Sequence, residues 1–498
     1  MEGGGRECVV PKGSEEEQPS AKRQCRPEEE QPCLVDPLEL RSAILHSLKE
    51  PLVLHGYLAP RQGGGGGGWP CLQWDVDEWM QVFGDSELNF RLAPRLGAGD
   101  TLAAPQWERE CLKCVMTFEH FMDWVKGVTS CTTTCGREVN CDTHWAYFDY
   151  YYLRCLAGKG RLHQAMDWGA LGFPERGVEE STLWVGSPGA NTPCHIDTYG
   201  CNLVVQVSGR KRWVLFPESQ SGGLAATRIP YEESSIYSGA GFPRPSLHAH
   251  PALAATTPHV VTLEPGDALL VPRHWWHSVE NLEVAVSINT WLEVPQDGAE
   301  RVREALVMFQ VASLCHGVTW VDLVRQVFNP NMLDVASMTS SSVLNLLMHK
   351  ALSPRDNSAG EPNADSDGAS ASEGTGDSSP EGVPGASQGP GRWQDAEWLA
   401  RHSIERVPSM PFAQYLQGIQ GSEGAKSKAK VVVEGEEEEC GYSSDLKLLI
   451  DAFTDRRVID ALMAALDDKI EARELRRKAN APAERLVHHS AQPARVSQ

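Results

Sequence analysis

The stretch from Asn191 to Pro217, NTPCHIDTYGCNLVVQVSGRKRWVLFP, carries the strongest structural signal in this chain. It contains His195 and Asp197, two side chains that can bind a metal ion, separated by the apolar Ile196. Because successive side chains of an extended strand alternate between its two faces, His195 and Asp197 point to the same side and Ile196 packs on the other. The stretch therefore predicts a strand that presents two metal ligands on one face.

A third candidate ligand lies downstream, in GDALLVPRHWWHSVENL. There a predicted strand from Ala268 to Val271 and a Pro272-Arg273 turn precede His277. Two histidines and one carboxylate on the strands of a closed sheet form the facial triad of non-haem Fe(II) oxygenases, which leaves coordination positions open for reactants. An isolated His-x-Asp pair is common by chance, so this interpretation depends on the sequence around both segments.

Composition narrows the classes of function. The 498 residues suffice for one large domain with appendages or for two to three ordinary domains, and 41% hydrophobic residues support a sizeable core. The formal net charge of -22 disfavours non-specific binding of nucleic acid, which needs a basic surface. No run of about 18 apolar residues predicts a membrane span. The amino-terminal MEGGGRECVV lacks the apolar core of a signal peptide, and the 14 cysteines then indicate reduced thiols in the cytoplasm or the nucleus.

Two cysteine pairs raise the question of zinc. Cys111-x-x-Cys114 and Cys131-x-x-x-Cys135 have spacings that occur in zinc sites. The first pair, however, lies in the amphipathic run ECLKCVMTFEHFMDWV, whose apolar spacing accounts for it without a metal. Packing is therefore the favoured interpretation.

About eight predicted strands separated by turn signals surround the candidate ligands, as is typical of a jelly-roll barrel. Three segments resemble the JmjC family of cupin-fold 2-oxoglutarate dioxygenases: STLWVGSPGANTPCHIDTYGCNLVVQVSGRKRW, TRIPYEESS and VPRHWWHSVE. The resemblance covers about residues 37–310. It implies a mainly β fold with flanking α-helices, namely a double-stranded β-helix of the jelly-roll, cupin-like type with C-terminal helices and disordered linkers.

The same resemblance implies an iron-dependent hydroxylase in which His195, Asp197 and His277 bind Fe(II) and 2-oxoglutarate is the co-substrate. In the family, a lysine in a Gly-x-Lys-Arg strand and a nearby hydroxyl bind the far carboxylate of 2-oxoglutarate, which assigns these roles to Lys211 and Thr192. Strand alternation separates Lys211 from its two arginine neighbours and favours one inward cation, although three solvated basic residues remain the alternative. No catalytic residue beyond the metal ligands is predicted.

Further co-substrate contacts follow from the resemblance alone. A tyrosine of the aromatic run HWAYFDYYY donates to the same carboxylate in the family; Tyr147 is the best positional match, and Tyr150 and Tyr152 remain alternatives. Asn202 and Asn289 match positions that line the co-substrate pocket, although either could be a core amide. The spacing from His195 to Asn202 is one residue longer than in asparaginyl-hydroxylase relatives.

The predicted divisions are a disordered tail (1–36), the cupin-like dioxygenase domain (37–310), a helical extension (311–352), an acidic low-complexity linker (353–442), a C-terminal helical pair (443–478) and a second disordered tail (479–498). The helical pair is too short to hold a core alone, so it is expected to dock. Its partner could be another protein, a second copy in a homodimer, or the barrel helix predicted over Ala299 to Cys315. The flexible tether favours partner binding.

The resemblance also implies a protein side chain as the substrate and a small heat shock protein as a partner in the stress response. The alternative is a regulatory or scaffold protein that binds small heat shock proteins with little or no catalysis. Hydroxylation of a tRNA base is disfavoured by the acidity of the chain. Demethylation of histone lysines is disfavoured because the family's demethylases generally carry reader or zinc modules, and none is evident in the sequence.

Overall fold

A computed structural model describes residues 34–59, 68–97, 99–156, 158–228, 236–314, 390–421 and 444–479. The predicted disordered tails lie almost wholly outside these residues, as do most of the helical extension and the flanks of the linker.

The described residues form seventeen strands, all of whose pairings are antiparallel. They are β1 (Leu52–Leu54), β2 (Leu88–Pro94), β3 (Leu112–Met116), β4 (Cys131–Thr132), β5 (Glu138–Val139), β6 (His144–Tyr152), β7 (Thr182–Gly186), β8 (Asn191–Ile196), β9 (Cys201–Ser208), β10 (Lys211–Phe216), β11 (Ala226–Arg228), β12 (Ile236–Ser238), β13 (His259–Leu263), β14 (Ala268–Val271), β15 (Trp276–Asn281), β16 (Ala285–Leu292) and β17 (Ile404–Arg406). Nine strands form one sheet, in the order β17-β1-β14-β9-β16-β7-β6-β2-β3. Six form a second, in the order β11-β12-β8-β15-β10-β13, and β4 pairs with β5. This architecture confirms the predicted mainly β fold with flanking helices.

Nine α-helices lie within the described residues. They are α1 (Pro37–Ser42), α2 (Val76–Phe83), α3 (Phe118–Val125), α4 (Lys159–Leu162), α5 (Asp297–Leu314), α6 (Ala396–Arg401), α7 (Phe412–Gly421), α8 (Ser444–Phe453) and α9 (Arg456–Ala479). The first three begin where capping residues predict. Asp36, for example, accepts hydrogen bonds from the backbone of Leu38 and Glu39, and Asp75 and Glu78 form a capping box at the start of α2.

Apolar residues from both large sheets meet in the space between them. Val204 and Leu269 come from the nine-stranded sheet, and Trp213 and Val279 from the six-stranded sheet. A larger cluster covers the other face of the nine-stranded sheet, where Ile288 packs under the amino-terminal helices. Burial of each such side chain stabilises the fold by roughly 1.5–3 kcal/mol. The candidate functional side chains described below project from these two packed sheets.

Residues 390–421, which lie inside the predicted linker, form structure that packs on the sheets. β17 pairs with β1 at the edge of the nine-stranded sheet. Phe412 and Tyr415 of α7 are buried against Ile196 and Phe216, on the outer face of the six-stranded sheet. The Tyr415 hydroxyl donates to the backbone oxygen of Pro243, at 2.5 Å. This segment differs from the linker prediction because its apolar residues find a surface to bury on.

The C-terminal helices α8 and α9 pack against α5. Ile450, Ile459 and Met463 are buried, and Arg303 of α5 forms an ion pair with Asp460 of α9, at 2.8 Å. The docking on the barrel helix is thus one of the arrangements that the sequence left open. The same pair also exposes large apolar side chains on its other face: Leu448, Leu449, Phe453, Val458 and Leu462.

No helix among the described residues combines the length and the apolar character needed to cross a membrane.

Candidate functional site

The three predicted metal ligands meet at the facing ends of β8 and β15. His195 on β8 lies directly opposite His277 on β15, and Asp197 follows β8 by one residue. One ligand atom from each of the three residues lies within 4.8 Å of the others. Within the described residues no second group of three or more His, Cys, Asp or Glu side chains is placed to hold an ion.

Both histidines turn the same nitrogen toward the centre. His195 Nδ1 lies 2.8 Å from the Pro193 carbonyl oxygen, and His277 Nδ1 lies 3.0 Å from that of Trp275. Because a carbonyl oxygen only accepts hydrogen bonds, Nδ1 must carry the proton in each ring. The Nε2 lone pairs are thereby free to bind a metal, and both rings are fixed by backbone contacts.

The electrostatics of the triad suit a cation. Burial disfavours the Asp197 carboxylate, but His277, His195 and the Trp291 N–H together hold its pKa well below its usual value. Burial, reinforced by His195, lowers the pKa of His277 to about 4. Burial also opposes the charged form of His195, yet its contact with Asp197 raises the pKa on balance. An ionised carboxylate beside a neutral imidazole is the donor set that a divalent metal needs.

Asp197 is held by donors from two adjacent strands of the nine-stranded sheet. Its Oδ2 accepts from Trp291 Nε1 at 3.1 Å and from Asn202 Nδ2 at 3.3 Å. Asn289, the other predicted asparagine, donates to Asn202 Oδ1 at 2.8 Å. Both amides thus lie beside the carboxylate of the candidate metal ligand.

Lys211 lies in the interior between the sheets and is 1% exposed. Its Nζ donates to Ser287 Oγ at 2.6 Å and lies 3.3 Å from the Tyr147 hydroxyl. Among the described residues it forms no ion pair with a carboxylate. Burial lowers the pKa of Lys211 to about 7, although Asp149 opposes the change. A buried ammonium group of this kind destabilises the fold unless an anion pairs with it.

The structure distinguishes among the three candidate tyrosines. The Tyr147 hydroxyl lies 3.3 Å from Lys211 Nζ and interacts with the Thr192 side chain. The ring of Tyr150 instead packs against Trp184, with centroids 4.5 Å apart. The ring of Tyr152 lies under the Arg154 guanidinium. A cation, a phenol and a hydroxyl are therefore brought together from Lys211, Tyr147 and Thr192.

The neighbours of Lys211 point away from it, as strand alternation predicts. Arg210 is exposed, and its Nε and Nη2 both donate to Glu283 Oε1, at 2.7 and 2.5 Å. Arg212 lies 3.6 Å from Glu280. Lys211 is thus the inward member of this basic run.

Sequence reasoning did not identify Ser287 and Trp291, which together with Asn289 project from one face of β16. Ser287 contacts Lys211, Asn289 contacts Asn202, and Trp291 contacts Asp197. The signal was present, since Val286 and Ile288, which alternate with Ser287 and Asn289 along the strand, are apolar and buried on the opposite face. Applying the two-residue period outward from Asn289 would have found both.

The long segment after Pro217 returns to the candidate metal ligands as β12. Tyr237 of this strand pairs with His195, and their rings stack with centroids 5.5 Å apart. Trp107 packs against Tyr237 in turn. These aromatic rings cover one side of the triad. Part of this segment, residues 229–235, lies outside the described residues.

The four cysteines considered for zinc are spread over separate contacts. Cys111 Sγ donates to the Trp107 carbonyl oxygen at 3.3 Å, whereas Cys114 contacts the Thr132 carbonyl oxygen at 3.4 Å. Cys131 is buried and Cys135 is exposed. These thiols do not form a metal-binding group within the part of the chain that is described.

Comparison with known proteins places the site in a family context. A family model described as a cupin-like domain matches residues 44–298, which contain all the candidate ligands. The chain is similar to HSPB1-associated protein 1 of Bos taurus, with 40% identity over 278 residues, or 55% of each chain. It is also similar to tRNA wybutosine-synthesizing protein 5 of Homo sapiens, with 30% identity over 270 residues, 51% of this chain and 74% of that protein.

A shorter similarity connects it to Lysine-specific demethylase JMJ31 of Arabidopsis thaliana, with 34% identity over 118 residues, 23% of this chain and 21% of that protein. The chain spans about half the length of the HSPB1-associated proteins it matches.

Proposed function

The chain belongs to the cupin-like domain family, and on that premise we propose that it is an Fe(II)- and 2-oxoglutarate-dependent dioxygenase that hydroxylates a protein side chain. One observation carries the proposal: a donor set of two histidines and one carboxylate shares its interior with a buried lysine that has no ion-pair partner among the described residues. The donor set suits Fe(II), and the lysine suits the far carboxylate of the co-substrate.

The residues present fit both groups. His195 and His277 would hold the ion through Nε2 and Asp197 through a carboxylate oxygen, because both Nδ1 atoms are already engaged with backbone carbonyls. When bound, Fe(II) supplies the reduction of dioxygen at the expense of 2-oxoglutarate, so that one oxygen atom enters a substrate C–H bond and the other enters succinate as carbon dioxide leaves.

The chain's own side chains would then bind and orient. Lys211 would hold the far carboxylate of 2-oxoglutarate as a point charge, with the hydroxyls of Tyr147 and Thr192 as further donors. Their burial excludes water, so that each contact is stronger than it would be at the surface. Tyr237 shields His195 from one side.

The proposal is tested by anaerobic titration of the full chain with Fe(II) and 2-oxoglutarate, followed by measurement of 2-oxoglutarate consumption in air. The wild-type protein is expected to bind one Fe(II) and to consume co-substrate even without substrate. His195→Ala and Asp197→Ala should abolish both while circular dichroism shows an intact fold, because they remove ligands rather than core packing. His250→Ala, outside the site, is the matched control. If reconstituted wild-type protein neither binds metal nor consumes 2-oxoglutarate, the proposal fails.

A protein substrate is the part of the proposal that depends most on resemblance. The net charge of -22 disfavours a tRNA base. Mass spectrometry of proteins retained by the Asp197→Ala variant, compared before and after treatment with active enzyme, would identify a peptide that gains one oxygen atom. A hydroxylated nucleoside in place of a peptide would contradict the choice of substrate but not the enzyme class.

A second candidate function is binding of a small heat shock protein. The related proteins are named for association with HSPB1, and the exposed apolar face of α8 and α9 is a surface that a partner could cover. Deletion of residues 443–498 should then weaken binding of a purified small heat shock protein in a calorimetric titration. If the same face instead forms a homodimer, light scattering should show a dimer for the full chain and a monomer after the deletion. Binding of the small heat shock protein should then be unaffected.

A further inference from the structure

Four side chains are linked by hydrogen bonds that end on Asp197. Trp184 Nε1 donates to Asn289 Oδ1 at 2.7 Å. Asn289 Nδ2 donates to Asn202 Oδ1 at 2.8 Å, and Asn202 Nδ2 donates to Asp197 Oδ2 at 3.3 Å. Asn289 and Asn202 are buried, with exposures of 1% and 5%, whereas Trp184 is half-buried.

The two ends of this chain fix its direction. An indole N–H can only donate, and an ionised carboxylate can only accept. Trp184 therefore forces the oxygen of the Asn289 amide toward itself, which leaves the Asn289 NH₂ group for Asn202. The same constraint turns the Asn202 NH₂ group toward Asp197. Only one orientation of each amide satisfies every link, and hydrogen bonds that all run in one direction reinforce one another.

A second donor reaches the same carboxylate oxygen from the strand beside Asn202. Trp291 lies directly opposite Asn202 in the pairing of β16 with β9, and its Nε1 donates to Asp197 Oδ2 at 3.1 Å. Two donors thus hold Oδ2. The other oxygen, Oδ1, lies 3.5 Å from His195 Nε2 and is the one left to coordinate an ion.

We infer that Trp184, Asn289, Asn202 and Trp291 are positioning residues that orient the Asp197 carboxylate. The inference rests on the proposed function. It assigns to the asparagines a role different from the pocket-lining one implied by the family resemblance, and it adds the two tryptophans. Such outer contacts orient a ligating carboxylate and typically change metal affinity by about 10- to 100-fold.

Tryptophan-to-phenylalanine changes test whether these hydrogen bonds orient Asp197, because they remove the indole N–H and keep most of the ring. Co(II) serves as the probe, since its visible spectrum reports the geometry of its ligands. Trp291→Phe should weaken Co(II) binding by about 10- to 100-fold and shift the visible bands. Trp184→Phe acts two links further away, so a smaller loss in the same direction is expected.

Trp213→Phe is the matched control. The Trp213 ring stacks on His277 with centroids 5.8 Å apart, and its buried Nε1 has no hydrogen-bond partner among the described residues. Loss of this N–H should therefore leave Co(II) affinity unchanged. A second titration measures 2-oxoglutarate binding to each variant at saturating Co(II), where Trp184→Phe should match wild type and Lys211→Ala should not.

The outcomes separate the inference from the proposed function. If wild-type protein binds neither Co(II) nor 2-oxoglutarate, the proposed function fails and the inference fails with it. Wild-type protein could instead bind both while Trp184→Phe and Trp291→Phe retain the Co(II) affinity and spectrum of Trp213→Phe. That result would overturn the positioning role of the four residues and leave the proposed function intact. A loss of 2-oxoglutarate affinity at saturating Co(II), without a change for the metal, would also overturn the positioning role, since the asparagines would then serve the co-substrate.

Discussion

Replacing Lys211 with methionine is expected to stabilise the protein while it weakens 2-oxoglutarate binding. Methionine keeps an unbranched side chain without the charge. Lys211 is 1% exposed, and within the described part of the chain its Nζ hydrogen-bonds to two neutral hydroxyls, those of Ser287 and Tyr147. Burying the ammonium group therefore lowers the stability of the fold, and the carboxylate of the co-substrate would neutralise this charge.

The pKa of Lys211 sets the size of the effect on stability. Burial lowers this pKa from 10.5 to about 7. Between these values the unfolded chain binds a proton that the folded chain does not, so the stability of the wild type rises with pH over this window. Below pH 7 both states are protonated and the cost is fully present. At about 1.4 kcal/mol per pH unit, Lys211→Met should gain a few kcal/mol at pH 6.5, and the gain should shrink toward pH 10.

The effect on binding has the opposite sign. Charge-assisted contacts contribute about 1.5–3 kcal/mol, so Lys211→Met should weaken 2-oxoglutarate binding by roughly tenfold to hundredfold. In the wild type only the ammonium form attracts the carboxylate. Apparent affinity should therefore fall as pH rises above about 7, approaching a tenfold loss per pH unit because the competent fraction falls at that rate.

Differential scanning fluorimetry measures the change in Tm across this pH range, and calorimetry on Mn(II)-loaded protein measures 2-oxoglutarate binding. Arg210→Met is the matched control, because Arg210 is exposed and pairs with Glu283; it should change neither quantity appreciably. The reasoning is refuted if Lys211→Met binds 2-oxoglutarate as tightly as wild type. It is also refuted if the gain in Tm is absent at pH 6.5, where the buried charge should cost most.

Three further outcomes are expected. Tyr147→Phe should weaken 2-oxoglutarate binding by about 1 kcal/mol, the typical value of one hydrogen bond, whereas Tyr150→Phe should not; equal calorimetric effects would mean that the wrong phenol was chosen. Hydrogen bonding to Asp267 is the largest of the effects that raise the pKa of His55 from 6.5 to about 8. The loss of stability in His55→Asn should therefore be fully present below pH 6.5 and should vanish as pH rises through 8. A difference in Tm that does not change with pH would contradict this. Because the side chain is 44% exposed, the loss should stay under about 1 kcal/mol. Ile459→Asp, at a buried position of α9, should lower Tm by several degrees. Leu462→Asp, at a 39% exposed position, should leave Tm unchanged and weaken binding of a small heat shock protein or a second copy. The reverse pattern in scanning fluorimetry and calorimetry would mean that the two faces were misassigned.

The sequence predicted the part of the site that depends on strand alternation. His195 and Asp197 share a side because they are two residues apart, and Lys211 points inward because both its neighbours point outward. The facing of β8 and β15 could not be read from either segment, since register is a property of the pair. His195 meets His277 only because the two residues lie directly opposite each other. Family resemblance, rather than local pattern, supplied that expectation.

The roles of the two asparagines could not be predicted from the sequence alone. Asn202 and Asn289 lie on adjacent strands and are hydrogen-bonded to each other. Their role depends on what lies at the ends of the network, and those ends, Trp184 and Asp197, are supplied by other parts of the chain. An amide can donate or accept, so its sequence position alone did not determine which group it would serve.

The segment at 390–421 extends the structural unit beyond the residues that match the cupin-like family model. The family model ends at residue 298, yet β17 forms the edge of the nine-stranded sheet and α7 covers Ile196 and Trp276, the apolar residues directly behind the ligand strands. Removing α7 would expose this cluster to water, at roughly 25 cal/mol for each Å² of apolar surface. Apolar clusters thus pack against both faces of the sheet that contains β8 and β15. A protein truncated after residue 310 would therefore retain every predicted ligand and lose the support that holds two of them opposite each other.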